Sequence, residues 1–98
     1  MVTTVALAGS TGSIGTQTLE VVAAEPDRYR VVALGAGGGN LDLLVEQARA
    51  TGAAVVAVAD ADRAVEAAGR LPGVEVRAGA DGLASLGGEA DVCVNGVV

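Results

Sequence analysis

"AGSTGSIGTQTLE", residues 8–20, is the stretch that decides the fold of this chain. Gly9, Gly12 and Gly15 stand three apart between an apolar run and a segment with helical periodicity. A glycine-rich turn that leaves a strand and opens a helix is typical of a dinucleotide-binding βαβ unit. Such a turn holds a pyrophosphate against glycine backbone and lets the helix start close to the strand. The alternative is a structural turn without a ligand, since 15 glycines in 98 residues make chance matches common.

The rest of the sequence predicts strands and helices in alternation. Apolar runs predict strands at residues 3–9, 29–36, 53–60, 74–79 and 90–98. Helical periodicity predicts helices at residues 13–24, 41–51, 61–70 and near 81–86. Asn40 and Asp60 are the expected N-caps of the second and third helices, and Gly52 ends the second. Apolar strands separated by amphipathic helices indicate an α/β fold, a doubly wound parallel sheet of the Rossmann-like NAD(P)-binding kind.

Each of the first three predicted helices carries an apolar face that should pack on the sheet. In the first helix this face comprises Ile14, Thr18, Leu19, Val22 and Ala23. In the second it comprises Leu41, Leu44, Val45 and Ala48, and in the third Ala61, Ala64, Val65 and Ala68.

The composition excludes several kinds of chemistry. The chain has no His, no Lys and a single cysteine, Cys93. A Ser–His or Cys–His nucleophile, a zinc site and the lysine-containing phosphate loop of nucleoside triphosphatases therefore cannot be built from these residues alone. The net charge of −6 argues against binding to nucleic acid. With no membrane-span-length apolar run and no signal peptide pattern, we expect a cytoplasmic protein without a membrane partner.

The predicted phosphate donors are backbone N–H groups at the start of the first helix. Those near Thr11, Gly12, Ser13 and Ile14 lie at the positive end of the helix. The hydroxyls of Thr11 and Ser13 can add further donors, although both hydroxyls are incidental if the turn binds nothing.

The end of the second predicted strand bears on which dinucleotide would bind. Residues 33–40, "ALGAGGGN", lack the Asp or Glu that NAD-preferring sites usually carry there, which favours NADP. The usual arginine for the 2′-phosphate is missing as well. The backbone of Gly37, Gly38 and Gly39, with the amide of Asn40, would then hold that phosphate, unless Asn40 is a helix cap and nothing more.

Three segments together resemble the start of the 1-deoxy-D-xylulose 5-phosphate reductoisomerase family. They are "GSTGSIGTQTLEVV" at 9–22, "PDRYRVVALGAGG" at 26–38 and "ADVCVNGVV" at 90–98. The resemblance implies an enzyme that rearranges a small phosphorylated sugar, 1-deoxy-D-xylulose 5-phosphate, and reduces it with NADPH to 2-C-methyl-D-erythritol 4-phosphate. It also implies Mg or Mn as metal, a role in non-mevalonate isoprenoid biosynthesis and a homodimer.

The resemblance also assigns roles to two groups of residues. It places Thr11, Gly12, Ser13 and Ile14 at the NADPH phosphates, and Gly37, Gly38 and Asn40 at the adenosine 2′-phosphate. Many members have Lys or Arg in the second loop, where this chain has Gly38 and Gly39, which predicts a weaker hold on the 2′-phosphate.

The family's metal ligands, its "NKE" lysine and its substrate-binding residues have no counterpart in this sequence. We therefore expect residues 1–98 to be the N-terminal part of an NADPH-binding domain, truncated, without the catalytic and C-terminal domains, and inactive alone. Two alternatives stay open: a non-enzymatic NADP-binding module, and the N-terminal part of another NADP-dependent reductase.

The remaining candidates have simpler interpretations. Asp60 and Asp62 are expected at a helix start as caps rather than as a metal site. Cys93 is expected to be a small core residue, and Asn95 ends a strand near the nicotinamide side or merely forms a turn. The remaining charged residues are interpreted as solvated helix-face pairs, Glu46 with Arg49 and Arg63 with Glu66.

Overall fold

The computed structural model describes residues 1–96, in which strands and helices alternate along the chain. The strands are β1 (Thr3–Ala8), β2 (Tyr29–Ala36), β3 (Val55–Val58), β4 (Glu75–Ala78) and β5 (Val92–Asn95). The helices are α1 (Ser13–Ala24), α2 (Leu41–Thr51), α3 (Ala61–Arg70) and α4 (Gly79–Ala84), followed by a 3₁₀ segment, Ser85–Glu89. Val97 and Val98, the end of the predicted fifth strand, lie outside the described residues.

The strands form one parallel sheet in the order β4-β3-β2-β1-β5. Helices α1, α2 and α3 pack on one face around a core that includes Leu7, Leu34, Leu44 and Val56. On the other face, Leu83 of α4 and Leu86 of the 3₁₀ segment pack on small strand residues. A parallel sheet with helices on both faces confirms the predicted doubly wound α/β fold.

Local capping sets the helix boundaries. The Asn40 side chain accepts a hydrogen bond from the Leu43 N–H, and Gly52 ends α2 in the left-handed conformation. The Asp60 carboxylate accepts hydrogen bonds from the Asp62 and Arg63 N–H groups and so caps α3. These caps are confirmed as predicted, and the bounds of α1, α2 and α3 agree with the sequence analysis.

The predicted apolar face is correct for α2 and wrong in part for α1 and α3. All four α2 residues of that face are buried, whereas Ile14 is 49% exposed in the first turn of α1, at the edge of the sheet, and Ala23 is also exposed. In α3, Ala64 and Ala67 are buried, but Val65 is 76% exposed. Neighbouring helical residues point about 100° apart, so Val65 turns away when Ala64 faces the sheet.

Two further predictions about buried residues are wrong. Ala61 and Ala68 of α3 are exposed rather than packed on the sheet. Cys93 is exposed rather than buried, because β5 is an outer strand of the described sheet and pairs there with β1.

An arginine network ties β4 to the segment that follows it. Arg77 donates from Nε to Glu75 and from Nη2 to Glu89, each at 2.5 Å, and from Nη1 to the Ser85 hydroxyl at 2.9 Å. The hydrogen bonds to Glu75 and then to Glu89 raise the pKa of Arg77 above its ordinary value. The network lies at the β4 end of the sheet, away from β1.

Among residues 1–96, no helix is long and apolar enough to cross a membrane.

Candidate cofactor-binding site

The strand order places a topological switch at β1. The chain moves outward from β1 through β2 and β3 to β4, and then returns to the other side of β1 as β5. In open parallel sheets, ligands bind at such a switch, outside the carboxyl ends of the strands. The glycine turn after β1 lies at this position.

The turn is held in shape by the end of β2. The Gly35 carbonyl oxygen accepts hydrogen bonds from the Gly9 N–H at 2.7 Å and the Ser10 N–H at 3.0 Å. Gly9 has a φ of 79°, a conformation that favours glycine, and its carbonyl accepts from the Gly12 N–H at 3.1 Å. The turn is therefore fixed before any ligand arrives.

Gly12 and Gly15 have different surroundings in this turn. A Cβ on Gly15 would lie 2.6 Å from the Ser10 Cα and closer still to the Gly9 carbonyl, so the helix start packs directly on the turn. A Cβ on Gly12 would make only an ordinary contact, 3.5 Å from the Gly9 carbonyl, and Gly12 is exposed. Gly15 thus serves packing, and Gly12 presents bare backbone to the outside.

The N-terminus of α1 presents backbone donors that the helix itself does not use. Gly12 is its N-cap without a side-chain capping bond, and the first turn carries no acidic residue. The Thr16 N–H donates to the Gly12 carbonyl at 2.9 Å and begins the helical ladder. The N–H groups of Ser13, Ile14 and Gly15 precede that ladder, at the positive end of the helix dipole. Such an end suits a phosphate.

The predicted residues of the turn lie together and open to the outside. Gly12, Ser13 and Ile14 are exposed, and Thr11 is half-buried beside them. Asn95 ends β5 next to Ala8, and a Cβ on Gly96 would lie 3.4 Å from the Gly15 nitrogen. The end of β5 therefore borders the glycine turn.

Gln47 is a contact that the sequence analysis missed. It lies on α2, is 8% exposed, and its Nε2 donates to the carbonyl of the fully buried Ser10 at 2.9 Å. Gln47 Oε1 and Ser10 Oγ have no hydrogen-bond partner among the described residues. The sequence contains one sign of this contact, a polar residue within the apolar face of the second helix. Gln47 lies three residues after Leu44 and next to Ala48.

The second loop, residues 37–40, lies at the end of the neighbouring strand. Gly37 and Asn40 are exposed and Gly38 is buried. The Gly37 carbonyl accepts from the Asp60 N–H at 3.1 Å, which joins the loop to the end of β3. The Asn40 Oδ1 caps α2 at 3.3 Å from the Leu43 nitrogen and leaves the Nδ2 donors outside the cap.

An open polar hollow of about 270 Å³ borders this loop. Its lining comprises Gly38, Gly39, Asn40, Leu41, Asp42, Arg63 and Glu66. The loop itself carries no cation, but the fold brings one to it from α3. The expected Arg63–Glu66 pair forms at 3.3 Å, whereas Arg49 donates to the Arg70 carbonyl at 2.9 Å and forms no ion pair with Glu46.

A second hollow lies at the opposite edge of the sheet. It has about 320 Å³ and is lined mainly by apolar residues, among them Val2, Leu19, Val22 and Tyr29. It lies at the amino ends of β1 and β2 and offers no helix N-terminus. This hollow therefore lacks the helix-start N–H groups that the glycine turn presents at the carboxyl edge.

Across residues 1–96, no three His, Cys, Asp or Glu side chains gather into a group that could hold a metal. Asp60 uses its carboxylate as a helix cap, as expected.

Comparison with known proteins identifies what the chain is similar to. The model of the 1-deoxy-D-xylulose 5-phosphate reductoisomerase family matches residues 5–98. A reductoisomerase of this name from Mycolicibacterium smegmatis is 54% identical over 97 residues, which are 96% of this chain and 23% of that protein. The one from Rhodococcus jostii is 53% identical over 98 residues, 98% of this chain and 24% of that protein. The chain thus spans about a quarter of the length of these relatives.

Solved structures give the same result. The NADPH complex of the reductoisomerase from Zymomonas mobilis matches with a TM-score of 0.83 at 36% identity, over 95% of this chain and 25% of that chain. A DOX-P reductoisomerase in complex with NADPH, fosmidomycin and magnesium matches with a TM-score of 0.82 at 26% identity, over 92% of this chain and 22% of that chain.

Proposed function

The chain belongs to the 1-deoxy-D-xylulose 5-phosphate reductoisomerase family, and we propose that it binds NADPH at the carboxyl edge of its sheet. Thr11, Gly12, Ser13 and Ile14 bind the pyrophosphate in this proposal. Gly37, Gly38 and Asn40 lie at the adenosine 2′-phosphate. The membership favours neither the N-terminal part of another NADP-dependent reductase nor a non-enzymatic NADP-binding module.

One observation carries the proposal: the exposed, acid-free start of α1 on a turn that is already braced. The turn is fixed by the Gly35 carbonyl and by Gln47, so little ordering is left for the ligand to impose. Gly12 presents no side chain to an approaching phosphate. The N–H groups of Ser13 and Ile14 supply donors without a lysine, which the chain lacks.

The role of this chain in the reaction is to bind and orient the cofactor. NADPH, when bound, supplies a hydride to the carbonyl carbon of the rearranged substrate. The full protein, in this proposal, converts 1-deoxy-D-xylulose 5-phosphate to 2-C-methyl-D-erythritol 4-phosphate with Mg or Mn and acts as a homodimer. Residues 1–98 form the N-terminal part of its NADPH-binding domain, and the residues for metal, substrate and proton transfer belong to other parts.

The test is a titration of the full protein that contains this chain with NADPH and with NADH, followed by the fluorescence of the reduced nicotinamide. The second loop has no carboxylate to repel a 2′-phosphate, so NADPH should bind at least about tenfold more tightly than NADH. Equal or tighter binding of NADH would count against the assignment of the second loop. Binding of neither nucleotide would end the proposal.

A further inference from the structure

Arg63 lies directly on the second loop, although 25 residues separate it from Gly38. A Cβ on Gly38 would lie 3.2 Å from both the Cβ and the Cγ of Arg63, and 3.3 Å from the Cβ of Asp60. The arginine stem therefore covers the loop backbone, and the side chain borders the polar hollow there. The contact arises because β2 and β3 are neighbours, so the loop after one meets the helix start after the other.

The charges around the hollow leave Arg63 loosely held. Two carboxylates line the hollow, those of Asp42 and Glu66. Arg70 donates from Nη1 to Asp42 at 2.7 Å and lies 3.8 Å from Glu66. Arg63 pairs with Glu66 at 3.3 Å, and about half of each side chain is exposed. Exposed pairs of this kind are weak, so Arg63 can exchange Glu66 for a stronger anion at little cost.

We propose that Arg63 is the cation that binds the adenosine 2′-phosphate and selects NADPH over NADH. This inference rests on the proposed function, because it assigns a residue within the same nucleotide site. A guanidinium can donate two parallel charge-assisted hydrogen bonds to a phosphate. The carboxylate of Glu66 then pairs with Arg70, whose Nη1 already lies 3.8 Å from it.

The absence of a side chain at Gly38 is part of the same arrangement. Gly38 has a φ of +117°, which L side chains rarely adopt, and a Cβ there would crowd the Arg63 stem at 3.2 Å. A basic side chain at position 38 would therefore be strained and would displace the Arg63 stem from its present position. A loop of glycines alone would bind the 2′-phosphate weakly. In this proposal, Arg63 of α3 supplies the positive charge that the loop lacks.

The deciding experiment compares two arginine variants of the full protein in titrations with NADPH and NADH. Arg63→Gln should weaken NADPH binding about tenfold and leave NADH binding unchanged, because only NADPH carries the 2′-phosphate. Arg28→Gln is the matched control. Arg28 also forms an exposed i,i+3 pair, with Glu25 at 3.1 Å, but lies at the amino edge of the sheet. It should change neither affinity.

A third variant tests the exchange of partners through an expected increase, rather than a decrease, in NADPH affinity. Glu66→Gln removes the carboxylate that competes for Arg63, so NADPH should bind about two- to threefold more tightly, with NADH unchanged. Unchanged or weaker NADPH binding in this variant would contradict the exchange on which the inference depends.

The outcomes separate this inference from the proposed function. If the unaltered protein prefers NADPH and Arg63→Gln keeps the full preference, the function stands and the assignment to Arg63 is overturned. If Arg63→Gln weakens NADPH and NADH equally, Arg63 has a structural role, which also overturns it. If the unaltered protein binds neither nucleotide, the proposed function itself has failed.

Discussion

At the scale of single residues, two glycines of the turn look alike in the sequence but have different roles. Gly15 has no room for a Cβ, because the Ser10 backbone lies 2.6 Å from where that atom would be. Gly12 has room for one, with its nearest neighbour at 3.5 Å. The backbone of Gly12 is also ordinary, with a φ of −80°. A larger side chain at Gly12 should therefore disturb the ligand and not the fold.

Replacing Gly12 with valine tests this division. The branched side chain would occupy the space in which the pyrophosphate approaches, so NADPH binding to the full protein should be lost. Valine is a poorer N-cap than glycine, so unfolding should become easier by only about 1 kcal/mol. Calorimetric titration with NADPH and thermal unfolding measure the two effects.

Gly69→Val provides the control for that substitution. Gly69 lies on α3, and a Cβ there would meet nothing within 4 Å. Its NADPH affinity should equal that of the unaltered protein. A Gly12→Val variant that still binds NADPH normally would show that the turn is not the phosphate site.

The site could be predicted from sequence only where its parts are local. The glycine spacing, the N-cap Asn40 and the missing acid in the second loop all concern neighbouring residues, and a short window shows them. The approach of Arg63 to Gly38 and of Gln47 to Ser10 depends on which strands are neighbours and how α2 lies on them. The charges within residues 37–40 therefore give no sign of Arg63, which reaches this loop from α3.

At the scale of elements, α2 supports both halves of the site. Its N-terminus, capped by Asn40, borders the polar hollow. Its middle reaches the glycine turn through Gln47, whose amide nitrogen holds the Ser10 carbonyl in a buried hydrogen bond. The position of the turn is thus coupled to the position of the second loop through one helix.

Gln47→Leu should loosen this coupling. The buried Ser10 carbonyl would lose its donor, which should lower the free energy of unfolding by about 1–2 kcal/mol. NADPH affinity should fall about fivefold, because the turn is no longer held ready for the ligand. Chemical denaturation and NADPH titration are the measurements. Glu46→Ala, an exposed neighbour on the same helix, should change both quantities little.

The elements were easier to predict than their orientation. Asn40, Gly52 and Asp60 act on the nearest backbone groups, and for that reason the helix ends agree with the sequence. The buried face of α3 depends on what it packs against. Small Ala64 and Ala67 face the sheet, and the larger Val65 is exposed, which hydrophobicity alone would not favour.

At the scale of the whole molecule, the two edges of the sheet differ in character. The carboxyl edge carries the glycine turn, the second loop and the start of α1, whose first N–H groups precede the helical hydrogen bonds. The amino edge carries an apolar hollow without such donors. Cofactor binding, in our account, uses the first edge, and over residues 1–96 no three His, Cys, Asp or Glu side chains gather at either edge into a metal-binding group.

Residues 1–98 alone should therefore form no product. With 1-deoxy-D-xylulose 5-phosphate, NADPH and Mg²⁺, we expect no oxidation of NADPH above background and no 2-C-methyl-D-erythritol 4-phosphate. The physical reason is that the chain has no His or Lys and, over residues 1–96, no metal-binding cluster. The full protein under the same conditions is the positive control, and product from residues 1–98 alone would refute this assignment of roles.

Hydrogen–deuterium exchange of the full protein, with and without NADPH, tests the location of the site most directly. In our account, bound phosphates accept hydrogen bonds from the turn and the second loop, so NADPH should slow exchange in peptides covering residues 9–16 and 36–42. Peptides at the amino edge, around residues 22–31, should exchange at the same rate in both samples. Protection concentrated at the amino edge, or none at residues 9–16, would contradict the account.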